Sequence, residues 1–168
     1  MRIEHLLALA AALATAVPGC GASSRSSESS ASAQSRTLSE TRALVIIAET
    51  LSDHAIPRGS MWQITLPGGE ALDVDVRLAQ SQFGIEWMSP QDRSDLGEAV
   101  PGPTEDGRLR IVPGRGEEQV LVLEHSSYDF VNEREHVQAG RAGARETEER
   151  LRRDVVDFIH YVQGQGGL

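Results

Sequence analysis

Hydrophobic positions follow two different periods along the chain, and the changes of period mark its elements. Apolar residues recur at helical spacing from Leu44 to Ala55, behind a Thr37–Glu40 capping box, and predict a helix over 38–55. A second helical pattern predicts a helix over 144–162. Its apolar stripe consists of Leu151, Val155, Phe158, Ile159 and Val162.

Between these helices the apolar period is two, which is typical of strands with one solvated face. The five predicted strands begin at Trp62, Leu72, Phe83, Leu109 and Val120. The run 120–123 is apolar on both faces, so we expect it in the interior of the sheet. Ser89 as N-cap and Pro90 at the first helical position predict a short helix that ends at Leu96–Gly97. For segment 125–143 the sequence pattern does not decide between turns and a short helix.

The predicted order is α-β-β-β-α-β-β-α, which indicates an α+β domain. Consecutive strands favour an antiparallel five-stranded sheet, with the N- and C-terminal amphipathic helices packed on one face. The same order occurs in secretion-chaperone-like domains, an analogy of element order alone.

The first twenty residues have the three-part form of a secretory signal. A short polar head precedes the apolar run Leu6–Val17, which is too short to span a bilayer. The run ends in Val17-Pro18-Gly19-Cys20, which resembles the lipobox of bacterial lipoproteins. The resemblance implies that Cys20 is lipidated and becomes the first mature residue. The alternative is an ordinary secretory signal, cut at a small residue such as Ala22.

The lipoprotein interpretation divides the chain into three parts. Residues 1–19 are a signal peptide that is removed, and 37–168 form a single α+β domain. Residues 20–36 are the lipidated cysteine and a serine-rich tether, whose composition predicts disorder. The expected location is a bacterial membrane, placed at the periplasmic side of the outer membrane, with an envelope protein as a possible partner.

The amino-acid composition argues against several classes of function. All 16 basic residues are arginine, so chemistry that requires lysine, such as a P-loop or a Schiff base, is excluded. The net charge of −9 argues against a nucleic-acid partner. Cys20 is the one cysteine, so no internal disulfide can form. We expect a monomer without a cofactor.

The weak candidates for a metal site are three acidic residues. Asp73 and Asp75 alternate along one predicted strand, and Glu86 is expected on the same outer face one strand away. Three carboxylates there could hold a hard cation. A solvated strand face explains the same pattern and is the favoured interpretation.

Three further groupings contain residue types found in catalytic or metal sites. Glu133–His136 and Asp157–His160 each place an acid and a histidine on one helical face, as di-metal bundles do. Segment His125–Asp129 contains the residue types of a serine-protease triad, although triads are assembled from residues distant in sequence. Solvated pairs and a loop N-cap explain the same patterns and are the favoured interpretations.

Three hypotheses about function follow. The first is a non-enzymatic binding domain of the cell envelope. The second is a carrier for a small apolar ligand, with a cavity between the sheet and the helices. Its lining would be Trp62, Ile64, Trp87 and Phe158. The third is a hydrolase or metal-dependent enzyme that uses the Asp73, Asp75 and Glu86 face or His125.

Overall fold

The computed structural model describes residues 34–103, 109–132 and 137–168, all within one compact unit, Ala31–Leu168. The predicted signal peptide, Cys20 and the tether up to residue 33 lie outside the described residues. Within the described ranges, no helix has the length and apolar character needed to cross a membrane.

The described part of the chain is a mixed α+β structure with three α-helices, eight short strands and several small sheets. The helices are α1 (Glu40–Asp53), α2 (Pro90–Leu96) and α3 (Val137–Gly164). The strands are β1 (Gln34–Thr37), β2 (Trp62–Thr65), β3 (Ala71–Val74), β4 (Val76–Arg77), β5 (Phe83–Met88), β6 (Ile111–Pro113), β7 (Gln119–Glu124) and β8 (Asp129–Asn132).

Helix α1 begins two residues later than the predicted helix, and its N-cap is different. The Ser39 hydroxyl accepts a hydrogen bond from the Arg42 amide, so Ser39 and not Thr37 caps the helix. Thr37 instead donates its hydroxyl to Asp129. The predicted capping box was therefore wrong, because strand pairing uses the residue that was expected to cap.

Helix α2 confirms the prediction made from its start and stop signals. Ser89 and Asp92 form a complete capping box, Pro90 occupies the first turn, and Gly97 ends the helix with a φ of 50°. A short 3-10 helix, Gly97–Ala99, follows directly.

Helix α3 contains the predicted helix and begins seven residues earlier, at Val137. All members of its predicted apolar stripe are buried. Within α3, the side chains of Glu148 and Arg152 form an ion pair at 3.8 Å. Glu148 also receives a two-point contact from Arg42 of α1, at 2.7 and 2.8 Å, which joins the two helices.

The predicted antiparallel five-stranded sheet was wrong in its topology. The largest sheet has four strands in the order β4-β5-β7-β6, and β5 and β7 are parallel. Strands β2 and β3 form a separate hairpin. The physical reason lies in β7, which is apolar on both faces as predicted and takes a central position. After β5 the chain passes through α2 to the far edge of the sheet, where it forms β6, and then returns as β7 between β6 and β5. Strand β7 is therefore antiparallel to β6 and parallel to β5.

Both faces of the four-stranded sheet are covered. On one face, α1 and α3 pack against Phe83, Ile85 and Trp87 of β5 in a common core, so the prediction that both helices pack on one face holds. On the other face, the β2–β3 hairpin covers Met88 of β5 and residues of β6 and β7 in a second core. The hairpin residues in that core are Ile64, Leu66, Leu72 and Val74.

Strands β1 and β8 form a third, two-stranded sheet that the sequence did not indicate. They pair antiparallel, with Gln34 opposite Asn132 and Thr37 opposite Asp129. Strand β1 includes residues 34–36, which were expected to belong to the disordered tether.

Candidate functional site

The chain bends at Asp75, between β3 and β4, and the bend brings two carboxyl groups together. Before the bend, β3 pairs with β2; after it, β4 pairs with β5. Gly84 of β5 permits the close approach of the hairpin, because a Cβ there would lie 2.6 Å from Cγ1 of Val74. Asp75 lies one residue beyond the β4–β5 ladder, opposite Glu86.

Asp75 and Glu86, which we name the acid pair, replace backbone hydrogen bonds that the bend interrupts. The Asp75 amide donates to Oε2 of Glu86 at 3.1 Å. In return, the Trp87 amide donates to Oδ2 of Asp75 at 2.9 Å. Each carboxyl group thus satisfies a backbone amide of the other strand, which would otherwise be buried without a partner.

The acid pair has unusual electrostatics because it is removed from water. Glu86 is 5% exposed. Burial, followed by the charge of Asp75, raises the pKa of Glu86 to about 10 from an ordinary value of 4.5. Burial also raises the pKa of Asp75. At neutral pH the Glu86 carboxyl therefore keeps its proton and donates it to the Asp75 carboxylate.

A second buried carboxylate, Glu124, lies at the end of the neighbouring parallel strand β7. Arg93 of α2 donates to both of its oxygens, at 3.3 and 2.5 Å, and Arg110 donates to Oε2 at 3.1 Å. Burial alone would raise the pKa of Glu124, but the hydrogen bonds and charges of these arginines hold it below its ordinary value. Glu124 is therefore ionised at neutral pH.

The two arginines also fix the segment that follows α2. Nη1 of Arg93 donates to the carbonyls of Gly97 and Val100, and Nη1 of Arg110 donates to the carbonyl of Pro101 at 2.6 Å. All three guanidinium nitrogens of Arg93 are thus used inside the protein. The network of Arg93, Arg110 and Glu124 positions the loop after α2 against the end of β7.

A cleft of about 520 Å³ opens beside this network, at the carboxyl end of β7. Open sheets commonly bind ligands outside the carboxyl ends of parallel strands. Arg93, Glu98 and Ser126 contribute polar groups to its lining, and Val100 contributes apolar surface. The cleft is a concave surface of mixed polar and apolar character, and the network of Arg93, Arg110 and Glu124 holds one of its walls in place.

The catalytic arrangement considered around His125 is not present among the described residues. Nδ1 of His125 is buried and lies 4.0 Å from Oε1 of Glu124, without a hydrogen-bond partner in this part of the chain. Ser126 and Ser127 are exposed, and Asp129 binds Thr37. These residues lie side by side on a 3-10 helix and β8 and do not form a triad.

The expectation that Asp73, Asp75 and Glu86 share a solvated face was wrong. Asp73 is exposed and accepts a hydrogen bond from Gln63 at 2.7 Å. Glu86 points into the protein, because the hairpin covers the face that the alternating pattern assigned to solvent. No group of three or more potential metal ligands occurs within the described ranges.

Of the two predicted acid–histidine pairs, the structure describes the one on α3. Asp157 and His160 are both exposed on α3, whereas Glu133 and His136 lie outside the described residues. The aromatic and aliphatic residues proposed to line a ligand cavity belong to different cores. Trp87 and Phe158 lie on the helical face of the sheet, and Ile64 lies under the hairpin with Trp62.

Sequence reasoning missed Arg93, Arg110 and Glu124 as interacting residues. Glu124 follows the apolar run 120–123 directly, and a charged residue at the end of a buried strand is a signal that a partner is needed. No local sequence pattern identifies its partners, because Arg93 is 31 residues away in the chain.

Comparison with known proteins adds no family. No protein-family model matches the chain, and no curated protein or solved structure matches it.

Proposed function

We propose that this chain is the precursor of a bacterial lipoprotein, exported and anchored by lipid on Cys20, and that its α+β domain binds another component of the cell envelope. The observation that carries the proposal is the apolar run Leu6–Val17 followed by Pro18-Gly19-Cys20. An apolar run of this length suits a signal peptide and is too short for a membrane span. Lipidation would also modify the thiol of the one cysteine, which would otherwise be unpaired in an exported chain.

Two features of the domain favour binding over catalysis. The Glu86 carboxyl is enclosed by the hairpin, and its proton is held by Asp75. The Glu124 carboxylate is neutralised by Arg93 and Arg110. A general acid or base must reach a substrate atom within hydrogen-bond distance, and these groups are committed to the protein itself.

The anchor is tested by growing cells with a tagged fatty acid and comparing the wild type with Cys20→Ser. We expect label on the wild type and none on the variant, which should leave the membrane fraction. Ser24→Ala, four residues further on, serves as the control and should be labelled like the wild type.

Equal labelling of the wild type and Cys20→Ser would contradict the proposal. So would a wild-type protein that washes from membranes as a soluble chain, which is the result expected for an ordinary secretory signal cut near Ala22.

A further inference from the structure

The acid pair occupies the one position where the hairpin strand β3 continues into the central sheet through β4. At that position two carboxyl oxygens take the place of backbone carbonyls as acceptors, one for the Asp75 amide and one for the Trp87 amide. Both hydrogen bonds connect the bend to β5. The contact between the hairpin and the sheet therefore includes, besides the apolar residues of the second core, two hydrogen bonds to groups that titrate.

The surroundings of Glu86 supply negative charge. Asp75 faces it from the bend, and Asp92 of α2 adds a further negative charge. On the other side, Glu86 is in register with the apolar Val122 of β7. Further along β7, Glu124 is already paired with arginines.

The nearby cations are engaged elsewhere. Arg77 of β4 lies over the Trp62 ring, 4.9 Å from its centre, and donates to the carbonyls of Ser81 and Gln80. Arg93 of α2 binds Glu124 and the carbonyls after α2. On the hairpin, Asp73 is bound by the neutral Gln63. A second negative charge on the acid pair would therefore be poorly compensated.

We propose that the acid pair is a pH-sensitive switch: its shared proton holds the β2–β3 hairpin against β5, and loss of that proton releases the hairpin. Two ionised carboxylates in this buried position repel each other and require water. The hairpin covers the face of the sheet on which Glu86 lies, so its movement would admit water to the acid pair. Its release would uncover the apolar face formed by Val112, Val120 and Val122.

The direction of the pH dependence follows from the raised pKa of Glu86. In the folded protein Glu86 binds a proton up to about pH 10, whereas its ordinary pKa is 4.5. Its contribution to stability is fully present below pH 4.5 and is lost as the pH rises through the folded value. Asp75, whose pKa is also raised, acts in the same direction. Between these limits each pH unit should raise the unfolding constant by up to about tenfold.

The test compares the full-length wild type with Glu86→Gln by hydrogen–deuterium exchange and urea unfolding from pH 5 to pH 9. Glutamine has the shape of the protonated acid, accepts from the Asp75 amide and donates to the Asp75 carboxylate, but does not titrate. With intrinsic exchange rates corrected, wild-type protection of 62–74 should fall as the pH rises, while protection of α1 changes less. In Glu86→Gln the protection of 62–74 should stay level.

Two further variants make the outcome decisive. Asp73→Asn, an exposed acid on the same strand, should behave like the wild type. Asp75→Asn, which removes the neighbouring negative charge, should weaken the pH dependence even if Glu86→Gln does not fold. The proposal is overturned if Glu86→Gln or Asp75→Asn keeps the wild-type slope, or if protection is lost to the same extent in α1 and the hairpin.

Discussion

At the scale of single residues, two buried glutamates on neighbouring strands have opposite protonation states at neutral pH. Glu86 and Glu124 lie on the face of the sheet that the hairpin covers, since Glu86 is in register with Val122 and Met88 with Glu124. Glu86 avoids a buried charge by keeping its proton, whereas Glu124 keeps its charge and recruits two arginines. The difference comes from the neighbours and not from the degree of burial.

Removal of the Glu124 carboxylate should be strongly destabilising. In Glu124→Ala, Arg110 loses its anion while its own side chain remains 9% exposed. Breaking a buried ion pair by removing one partner costs about 3–5 kcal/mol of the free energy of unfolding. The measurement is urea unfolding at pH 7.

The matched control is Glu149→Ala, which breaks the exposed pair of Arg145 and Glu149 on α3. Because both partners face solvent, the expected change is less than about 1 kcal/mol. Similar losses in the two variants would contradict the role assigned to Glu124. Because the pKa of Glu124 is depressed, its contribution should also be present above pH 4.5 and be lost as the pH falls.

The burial of Glu86 could not be predicted from the sequence pattern. The alternation of Phe83, Ile85 and Trp87 correctly identified the residues that face the helices. It also assigned Glu86 to solvent. An alternating pattern shows which residues lie on opposite faces of a strand, but it does not show what covers the second face. The cover is formed by the hairpin, and its folding back depends on the bend at Asp75.

At the scale of elements, the sequence was most informative where start and stop signals are local. Both chain-terminal helices, α2 and the central position of β7 follow from caps, glycine and apolar spacing. Strands β1 and β8 could not be predicted this way. Each is four residues long, and their pairing joins segments more than ninety residues apart. The local sequence pattern therefore does not indicate the pairing.

The N-terminus of α1 gives a direct test at this scale. Ser39→Ala should lower the free energy of unfolding by about 1 kcal/mol, because the Arg42 amide loses its side-chain acceptor. Amide exchange in the first turn of α1 should increase at the same time. Thr37→Ala should leave that exchange unchanged, since Thr37 binds Asp129 of β8. Faster exchange in Thr37→Ala alone would restore the capping box expected from sequence.

At the scale of the whole molecule, the covering of both sheet faces decides the architecture. The sequence predicted an α+β domain with both terminal helices on one face, and this is what the described residues show. It did not predict that the sheet is mixed or that the hairpin forms a second core. Those features depend on the order in which strands meet in space, which the order along the chain leaves open.

Strand β1 also changes the geometry expected at the membrane. If Cys20 carries the lipid, the connecting segment ends at Gln34, where β1 begins to pair with β8. If the thirteen residues between the two are disordered, as their composition predicts, their typical span is about 20 Å. The proposed anchor would thus hold the domain close to the lipid headgroups through the β1–β8 sheet.

The central claim, a lipid anchor on Cys20, is tested most directly by the mass of the N-terminal peptide of the protein isolated from its native membrane. We expect a chain that begins at Cys20, with the added mass of acyl groups on that residue. A chain that begins at Ala22 or another nearby residue without added lipid would contradict it.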